Sequence, residues 1–559
     1  MPSIKKYQAL VINNDWADAI DKALDDLMVK GGTLYFPKDV YTVSRGITKT
    51  PLSELKISGG QATIRLSLPS GQANIQSVLR FNDVRKNITF EGITIDCNRQ
   101  AANPLFIHNY SDDMTKVCTV TFSECLFENG LQTDSTYYFS GVYVRGAFAR
   151  VIANRTIFRN MDSIRAVPIS RGLQVSEDSD KDNYTREVIV SDCVIEDIYN
   201  PTTIDSDGVF HSAKFSETGL NPCTLTVKGS TFRNCKGRSI KSQVQGNVIT
   251  NSNFYRDKYN GNYEIDCQYA GAVMNNNQFY YLNFGVGVIL GGSVRSNLHN
   301  QFSISDNIIT VTNATIGVVC GIDTKEKYPV NSISIRDNKV RGKVDYFCSL
   351  RIADIPDNRA TIEGNSANTA KGFARLWMWG TGSPVLHGSF KSNTELGVSK
   401  PIVMESCKYK PSQYLDNLRI TVPDNSLYVG KEDQTPVQDI IRVGGYTRQV
   451  IQGASAMNKE LSINIPWENR RSAFKVTCAT AYASDTEVAT RISTLECWVS
   501  MGMNGVVKTS PIVNESSTLG SWDIVANSDL TGIRVTKSIG SNNATCNYFI
   551  VIEGSNNLS

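Results

Sequence analysis

A chain of 559 residues, 41% hydrophobic and 20% charged, has an ordinary folded protein's make-up and room for a long repeat domain plus an appendage. Its 57 basic and 54 acidic residues leave a net charge of +3, which gives no general reason to expect a nucleic-acid partner. It has no run of about 18 apolar residues and its start, MPSIKKYQALVINNDWADAI, lacks an apolar signal region, so neither a membrane span nor a secretory leader is expected.

The first predicted element is a helix over Asp15 to Val29. Trp16, Ala19, Ile20, Ala23, Leu24, Leu27 and Met28 recur at helical spacing, and Gly31-Gly32 supplies the stop. After it the chain turns to short β-branched runs broken by Asn, Gly and Asp. One unit recurs: alternating apolar residues, a turn, a small residue and a large apolar one. It reads ITFEGITID at 88–96, VTFSECLFEN at 120–129, VIVSDCVIED at 188–197, LTVKGSTFRN at 225–234 and SISDNIITVT at 303–312.

The large apolar residues give nine anchors: Ile95, Phe127, Phe158, Ile195, Phe232, Phe254, Phe279, Ile309 and Val340. Their spacing varies from 22 residues (Phe232 to Phe254) to 37 (Phe158 to Ile195). A constant unit with variable spacing predicts a parallel β-solenoid whose coils stack about 4.8 Å apart and differ in their loops. Propeller blades need about 40–50 residues, more than the shorter gaps allow. The helix and GGTLYFPKDVYTVS (31–44) then cap the open end. Thirteen cysteines, an odd number with no CxxC pair, read as small core residues in a reducing compartment, so no metal site and no other cofactor is expected.

From about 437 long alternating strands such as ELSINIPW, AFKVTCATAYA and CNYFIVIEG predict an antiparallel sandwich. The predicted organisation is an all-β chain: an entry segment with capping helix at 1–45, a right-handed parallel β-helix at 46–410, and a β-sandwich-like domain at 411–559.

Alternation along the strands GVFHS (208–212), SIKSQ (239–243), EIDCQ (264–268), GVILG (287–291), GVVCG (317–321), SLRIA (349–353) and RLWMW (375–379) turns Val209, Ile240 and Ile265 inward. Two outward ladders follow. One holds Gly208, Ser239, Glu264, Gly287 and Gly317; the other holds Phe210, Lys241, Asp266, Ile289, Val319, Arg351 and Trp377. Glu264 and Asp266 then share a face beside Lys241, the paired-carboxylate pattern of glycoside hydrolysis. Asp205, Asp207 and His211 precede this pair in DSDGVFH. Trp377 and Trp379 are candidates to stack on sugar faces. Asp162, Arg165 and Arg171 form another candidate groove wall. A lyase is the alternative chemistry, with Lys241 or Arg238 neutralising a uronate and Tyr263, Tyr269 or His211 taking the proton. A third reading is a glycan-binding fibre without catalysis.

The segment ADAIDKALDDL followed by GGTLYFPKDVYTVS resembles the entry segment of pectate-lyase-like right-handed β-helix proteins, including bacteriophage tailspike depolymerases. The match is close over the first 45 or so residues and extends to about 400 in pattern only. DSDGVF followed by CKGRSIKSQ (235–243) resembles the acidic "xDG" and basic "R-x-I-K" pair of such proteins, which implies Asp205, Asp207, Arg238 and Lys241 as groove residues. The Asp-Asp and Gly-His-Gly elements of polygalacturonases are missing. The acidic run before the helix is reduced to Asn13-Asn14-Asp15, and the virion-binding domain that often precedes it is not seen. The resemblance implies a homotrimer in a phage virion, docked on a tail or baseplate adaptor and assembled in the host cytoplasm. It implies a bacterial surface polysaccharide, O-antigen or capsule, as partner and a trimerisation or glycan-binding role for the last domain.

Overall fold

The computed structural model describes residues 2–555 apart from 112, 114–116, 134–138, 166, 179–182, 202–204, 214–222, 270, 295–300, 325–331, 353–357, 379–385, 396–401, 406–417 and short stretches between 422 and 544. It divides into two compact units: residues 1–347 with 365–368, and 348–364 with 369–559.

In the first unit the helix spans Ala17–Met28, and its buried face is Ala19, Ile20, Ala23, Leu24, Leu27 and Met28, as the periodicity predicts. Asp15 starts it by accepting from the Ala17 amide at 3.0 Å and also holds the Ser44 amide at 3.1 Å, which ties the cap to the first strands. A short 3-10 helix at Ile4–Leu10 precedes it and is an addition to the predicted elements. Gly31 ends the helical segment at φ 69°, where a Cβ would lie 2.7 Å from the Glu54 carbonyl oxygen.

Beyond the cap the chain is a right-handed parallel β-helix, the hand that strand twist imposes on parallel crossovers. Through its middle each coil carries three strands. One coil is Gly246–Thr250, Asn253–Arg256 and Gly261–Tyr269; the next is Ala272–Asn275, Gln278–Tyr281 and Val286–Val294. All nine anchors fall into one register column, from Ile95 beside Phe127 through Phe254 beside Phe279 to Ile309 beside Val340. Within it the Phe232, Phe254 and Phe279 rings stack at 5.1 and 4.7 Å.

The variable loops leave one turn constant. Between the first and second strands each coil places a left-handed residue: Glu124, Arg155, Asp192, Gly229, Asn251, Asn276, Asp306 and Asp337. The next residue bonds down the axis. The Cys193 amide donates to Ser230 Oγ, the Ser230 amide to Ser252 Oγ, and the Ser252 amide to Asn277 Oδ1. From there an asparagine ladder runs through Asn277, Asn307, Asn338 and Asn365, with amide-to-Oδ1 distances of 3.0–3.1 Å. Each of these asparagines is fully buried. A buried turn must satisfy its backbone amides, and a side-chain oxygen from the next coil does so. The ten described cysteines are all free and buried, in agreement with their reading as core residues.

The second unit contains parallel coil strands, Asn358–Glu363 beside Leu386–Lys391 beside Leu418–Thr421. It also holds two antiparallel sheets. The seven-stranded one begins at Leu427–Lys431 and includes Thr545–Ser555 at its centre; the three-stranded one joins Leu461–Pro466, Gly532–Lys537 and Trp522–Ala526.

Replacing Asn307 with Ala leaves the Asn277 amide without its acceptor and removes a donor to the Met274 carbonyl. Urea unfolding is expected to show a loss of about 2–4 kcal/mol, since each orphaned buried group costs about 1–3 kcal/mol. An unchanged midpoint contradicts the ladder's role.

Candidate functional site

The third strands of successive coils carry one outward column: Arg80, Phe106, Tyr143, Gln174, Phe210, Lys241, Asp266, Gly291 and Gly321. Inward neighbours such as Val209, Ile240, Ile265 and Leu290 are fully buried. Lys241 pairs with Asp266, the alignment read from the sequence. One coil further on the sequence alignment is corrected by two residues. Leu290, not Val288, continues the Ile265 column, so Gly291 and Gly321 replace Ile289 and Val319 beside Asp266. The two strands pair from their first residues, Gly261 beside Val286, and the repeated Gly-Val pattern around 285–288 disguises this register.

The column's upper part is closed. Phe106 and Tyr143 stack at 4.8 Å and are covered by Phe139, leaving all three 5% exposed or less. The lower part opens at a charged cluster built on four coils. Arg171, Asp207 and Arg238 are register neighbours, with Asp205 just ahead of the strand Ser206–Ser212. Arg238 reaches Asp207 at 2.6 Å, Asp205 at 3.0 Å and Asp266 at 3.5 Å. Lys241 reaches Asp205 at 2.9 Å, and Arg171 lies 3.3 Å from Asp207 and 3.7 Å from Asp205. The Phe210 ring supports two of the cations, Arg171 at 3.8 Å and Lys241 at 5.2 Å. Gly208 is dictated by coil contact: a Cβ there would sit 2.6 Å from the Ser239 carbonyl oxygen. The "xDG" glycine therefore has a packing reason of its own.

Two carboxyl groups in this cluster are pushed in opposite directions. Burial raises Asp266 above the usual carboxylate range and outweighs Arg238, the Gln268 hydrogen bond and Lys241. Burial also acts on Asp205, but Lys241, Arg171 and Arg238 together hold it below its ordinary value. Asp205 is about a third exposed and Asp266 is 8% exposed. A carboxyl group that holds its proton to higher pH beside one that gives it up at lower pH is the kind of asymmetry acid–base chemistry uses.

Other candidates lie elsewhere, and Glu264, Asp207 and His211 are corrections. Glu264 does not face outward with Asp266. It is 1% exposed and ion-paired to Arg256 at 2.7 Å, with Tyr281 donating at 3.1 Å and Ser239 also bonded to it. Arg256 is itself fully buried and donates to the carbonyls of Lys236, Tyr259, Gly237 and Tyr263. The pair fastens the corner between second and third strands, where alternation breaks down: both Ile289 and Leu290, the following coil's counterparts of Glu264 and Ile265, are buried. Asp207 is 0% exposed and anchors guanidinium groups from beneath the groove. His211 points inward with Val209, is fully buried, and neither ring nitrogen makes a good hydrogen bond. Burial pushes it down to about 3, so it is neutral.

Asp162 binds Arg99 at 2.6 Å rather than the cluster. Arg351 is half-buried in the second unit. The side chains of Trp377 and Tyr269 and the whole of Trp379 lie outside the described residues. Two further residues take part in the cluster. Arg171 belongs at the centre, and aligning SRGLQ (170–174) over SDGVF (206–210) places it beside Asp207. Gln268 donates to Asp266 at 2.6 Å and accepts from Gln243 at 2.9 Å, two residues downstream on the same face.

Two measurements check these placements. Glu264→Leu leaves Arg256 buried without its counter-charge, so urea unfolding is expected to show a loss of about 3–5 kcal/mol; wild-type stability contradicts the buried pair. The unfolded His211 imidazole binds a proton below about 6.5, the folded one only below about 3. The unfolded state therefore holds more protons in that window, and stability falls as pH drops through it. His211→Phe is expected to flatten this acid loss in thermal melts between pH 7 and 4, whereas an identical slope contradicts the buried neutral state.

No family model matches the chain, and no curated protein does. Among solved structures the matches are mostly phage tailspikes. The tailspike of Acinetobacter phage vB_ApiP_P1 is 11% identical with a TM-score of 0.41, over 100% of this chain and 87% of its own. The Streptococcus pneumoniae surface adhesin PfbA is 14% identical with a TM-score of 0.37, over 79% and 98%. The tailspike of Acinetobacter baumannii bacteriophage Fri1, a capsular polysaccharide depolymerase, is 12% identical with a TM-score of 0.29, over 98% and 83%. None of these likenesses bears on the chemistry of this chain.

Proposed function

We propose that the chain is an endo-acting glycan depolymerase of a phage tail, and that it hydrolyses a bacterial surface polysaccharide at the Asp205–Asp266 cluster. The observation that carries this reading is the pair of carboxyl groups with opposed proton affinities, bridged by Arg238 on the outward face of the β-helix. The resemblance of the entry segment and of the DSDGVF and GRSIK segments to tailspike depolymerases supports the phage setting.

In this reading protonated Asp266 donates to the leaving glycosidic oxygen. Ionised Asp205, the more exposed of the two, acts as nucleophile or draws a proton from water. Lys241 keeps Asp205 ionised. Gln268 orients Asp266, and Asp207 fixes Arg238 from below. Gly291 and Gly321 continue the column, and the Tyr263 and Val288 side chains fill the space that a Cβ at each would take, 2.8 Å away.

Asp205→Asn and Asp266→Asn are each expected to lower kcat on a cleaved polysaccharide by about 100-fold or more, the usual weight of an acid–base group. New reducing ends measure hydrolysis, and an unsaturated, ultraviolet-absorbing product would instead indicate a lyase. Wild-type turnover in both variants sinks the assignment. The pH profile is expected to be bell-shaped, rising as Asp205 ionises and falling as Asp266 does. Lys241 lowers both groups, so Lys241→Met is expected to move both limbs to higher pH; limbs that stay in place contradict the assignment.

A further inference from the structure

The corner between third and first strands has its own geometry. At two successive coils this corner is very short. Only Val244 and Gln245 separate Arg238–Gln243 from Gly246–Thr250, and only residues 270 and 271 separate Gly261–Tyr269 from Ala272–Asn275. The corresponding connection is eleven residues long one coil before (213–223) and six residues long one coil after (295–300). Two cut-back corners in succession leave a notch. It is a cavity of about 370 Å³ whose lining includes Thr224, Gln245, Asn247, Val248, Val273 and Gln301.

Its chemistry is narrow. None of the described residues that line it is charged, so none of them pairs with an anionic uronate or a cation. Val248, Val273 and Ala272 give it an apolar side. Gly271 is dictated by coil contact: a Cβ there would lie 1.9 Å from the Gln301 carbonyl oxygen. Gln245 and Gln301 stand at the rim, and neither carboxamide bonds to another described side chain. Asn247 is 3% exposed and donates to the carbonyls of Val244 and Gly271, while its Oδ1 has no partner. That acceptor has hydrogen-bonding capacity left over beside the cavity. Amides that pair with hydroxyls, beside an apolar patch that accepts a ring's C–H face, match an uncharged pyranose. The volume is at the small end for ligand pockets, roughly 300–1,000 Å³, which suits one or two sugar rings and not a long chain.

We propose that this notch binds one uncharged sugar residue of a glycan. It deepens the depolymerase reading and rests on it for the glycan, but its ligand chemistry is its own. The strands that carry Lys241 and Asp266 run directly into it. The amide chain from Asp266 through Gln268 to Gln243 leads toward the same corner. A polymer cut at the cluster therefore has a flanking or branch residue within reach of the notch, which selects glycans by an uncharged sugar at a fixed distance from the cleaved bond.

The test uses the full chain, saturation-transfer NMR and titration with the methyl glycosides of glucose, galactose, N-acetylglucosamine and glucuronic acid. Wild type and Asp266→Asn are both expected to bind at least one uncharged glycoside, with glucuronide bound at least tenfold more weakly. Val248→Trp fills the notch from an exposed position and is expected to weaken that binding at least tenfold at an unchanged thermal midpoint. Gln301→Ala, a smaller change, is expected to weaken it as well. Binding by none of the uncharged glycosides, or equal binding by Val248→Trp, overturns the proposal. Sugar binding that survives in Asp266→Asn while no polysaccharide is cleaved even by wild type leaves the notch standing and removes the depolymerase reading.

Discussion

Everything in the first unit depends on one constraint: each coil must present, at every register position, a side chain that suits the same position one strand spacing away, about 4.8 Å. Inside, this yields a single anchor column from Ile95 to Val340 and its stacked phenylalanines. At the turns it yields the serine and asparagine ladder, which answers the buried amides that loops of variable length would otherwise leave open. Outside, it brings together residues far apart in sequence. Arg171, Asp207, Arg238 and Asp266 come from four successive strands, and that repetition alone makes them neighbours.

The same constraint explains why like features have different meanings by face. Glu264 and Asp266 are two residues apart on one strand, yet one is sealed in an ion pair and the other belongs to the outward cluster. Glu264 turns inward, where it meets Arg256 of its own coil and Tyr281 of the next. The groove's charges, three acidic and three basic, balance one another. What distinguishes Asp205 from Asp266 is therefore which cations stand closest and how deep each lies.

Much of this was legible in the sequence because repetition is a one-dimensional signal. The capping helix, the nine anchors and the pairing of Lys241 with Asp266 follow from period and alternation. The failures sit where alternation stops. Glu264 and its counterpart Ile289 are buried together with the next residue of each strand, and the Gly-Val repeat around 285–288 offers two registers that place different residues beside Asp266. His211 shows a second limit: alternation places it inward with Val209, but its chemistry invites a groove role. Arg171 shows a third, since its partner Asp207 lies on the next coil and only an alignment extended by one strand reveals it. The notch left by two short corners is a matter of loop length, which the period conceals.

The central claim is that a glycan is cut where Asp205 and Asp266 meet their shared cations. A crystal structure of the Asp266→Asn chain with an oligosaccharide of a surface polysaccharide that the wild type shortens tests it most directly. The account predicts a glycosidic oxygen within hydrogen-bonding distance of residue 266, with Asp205 facing the same sugar. An oligosaccharide bound on another face, with the cluster untouched, contradicts it.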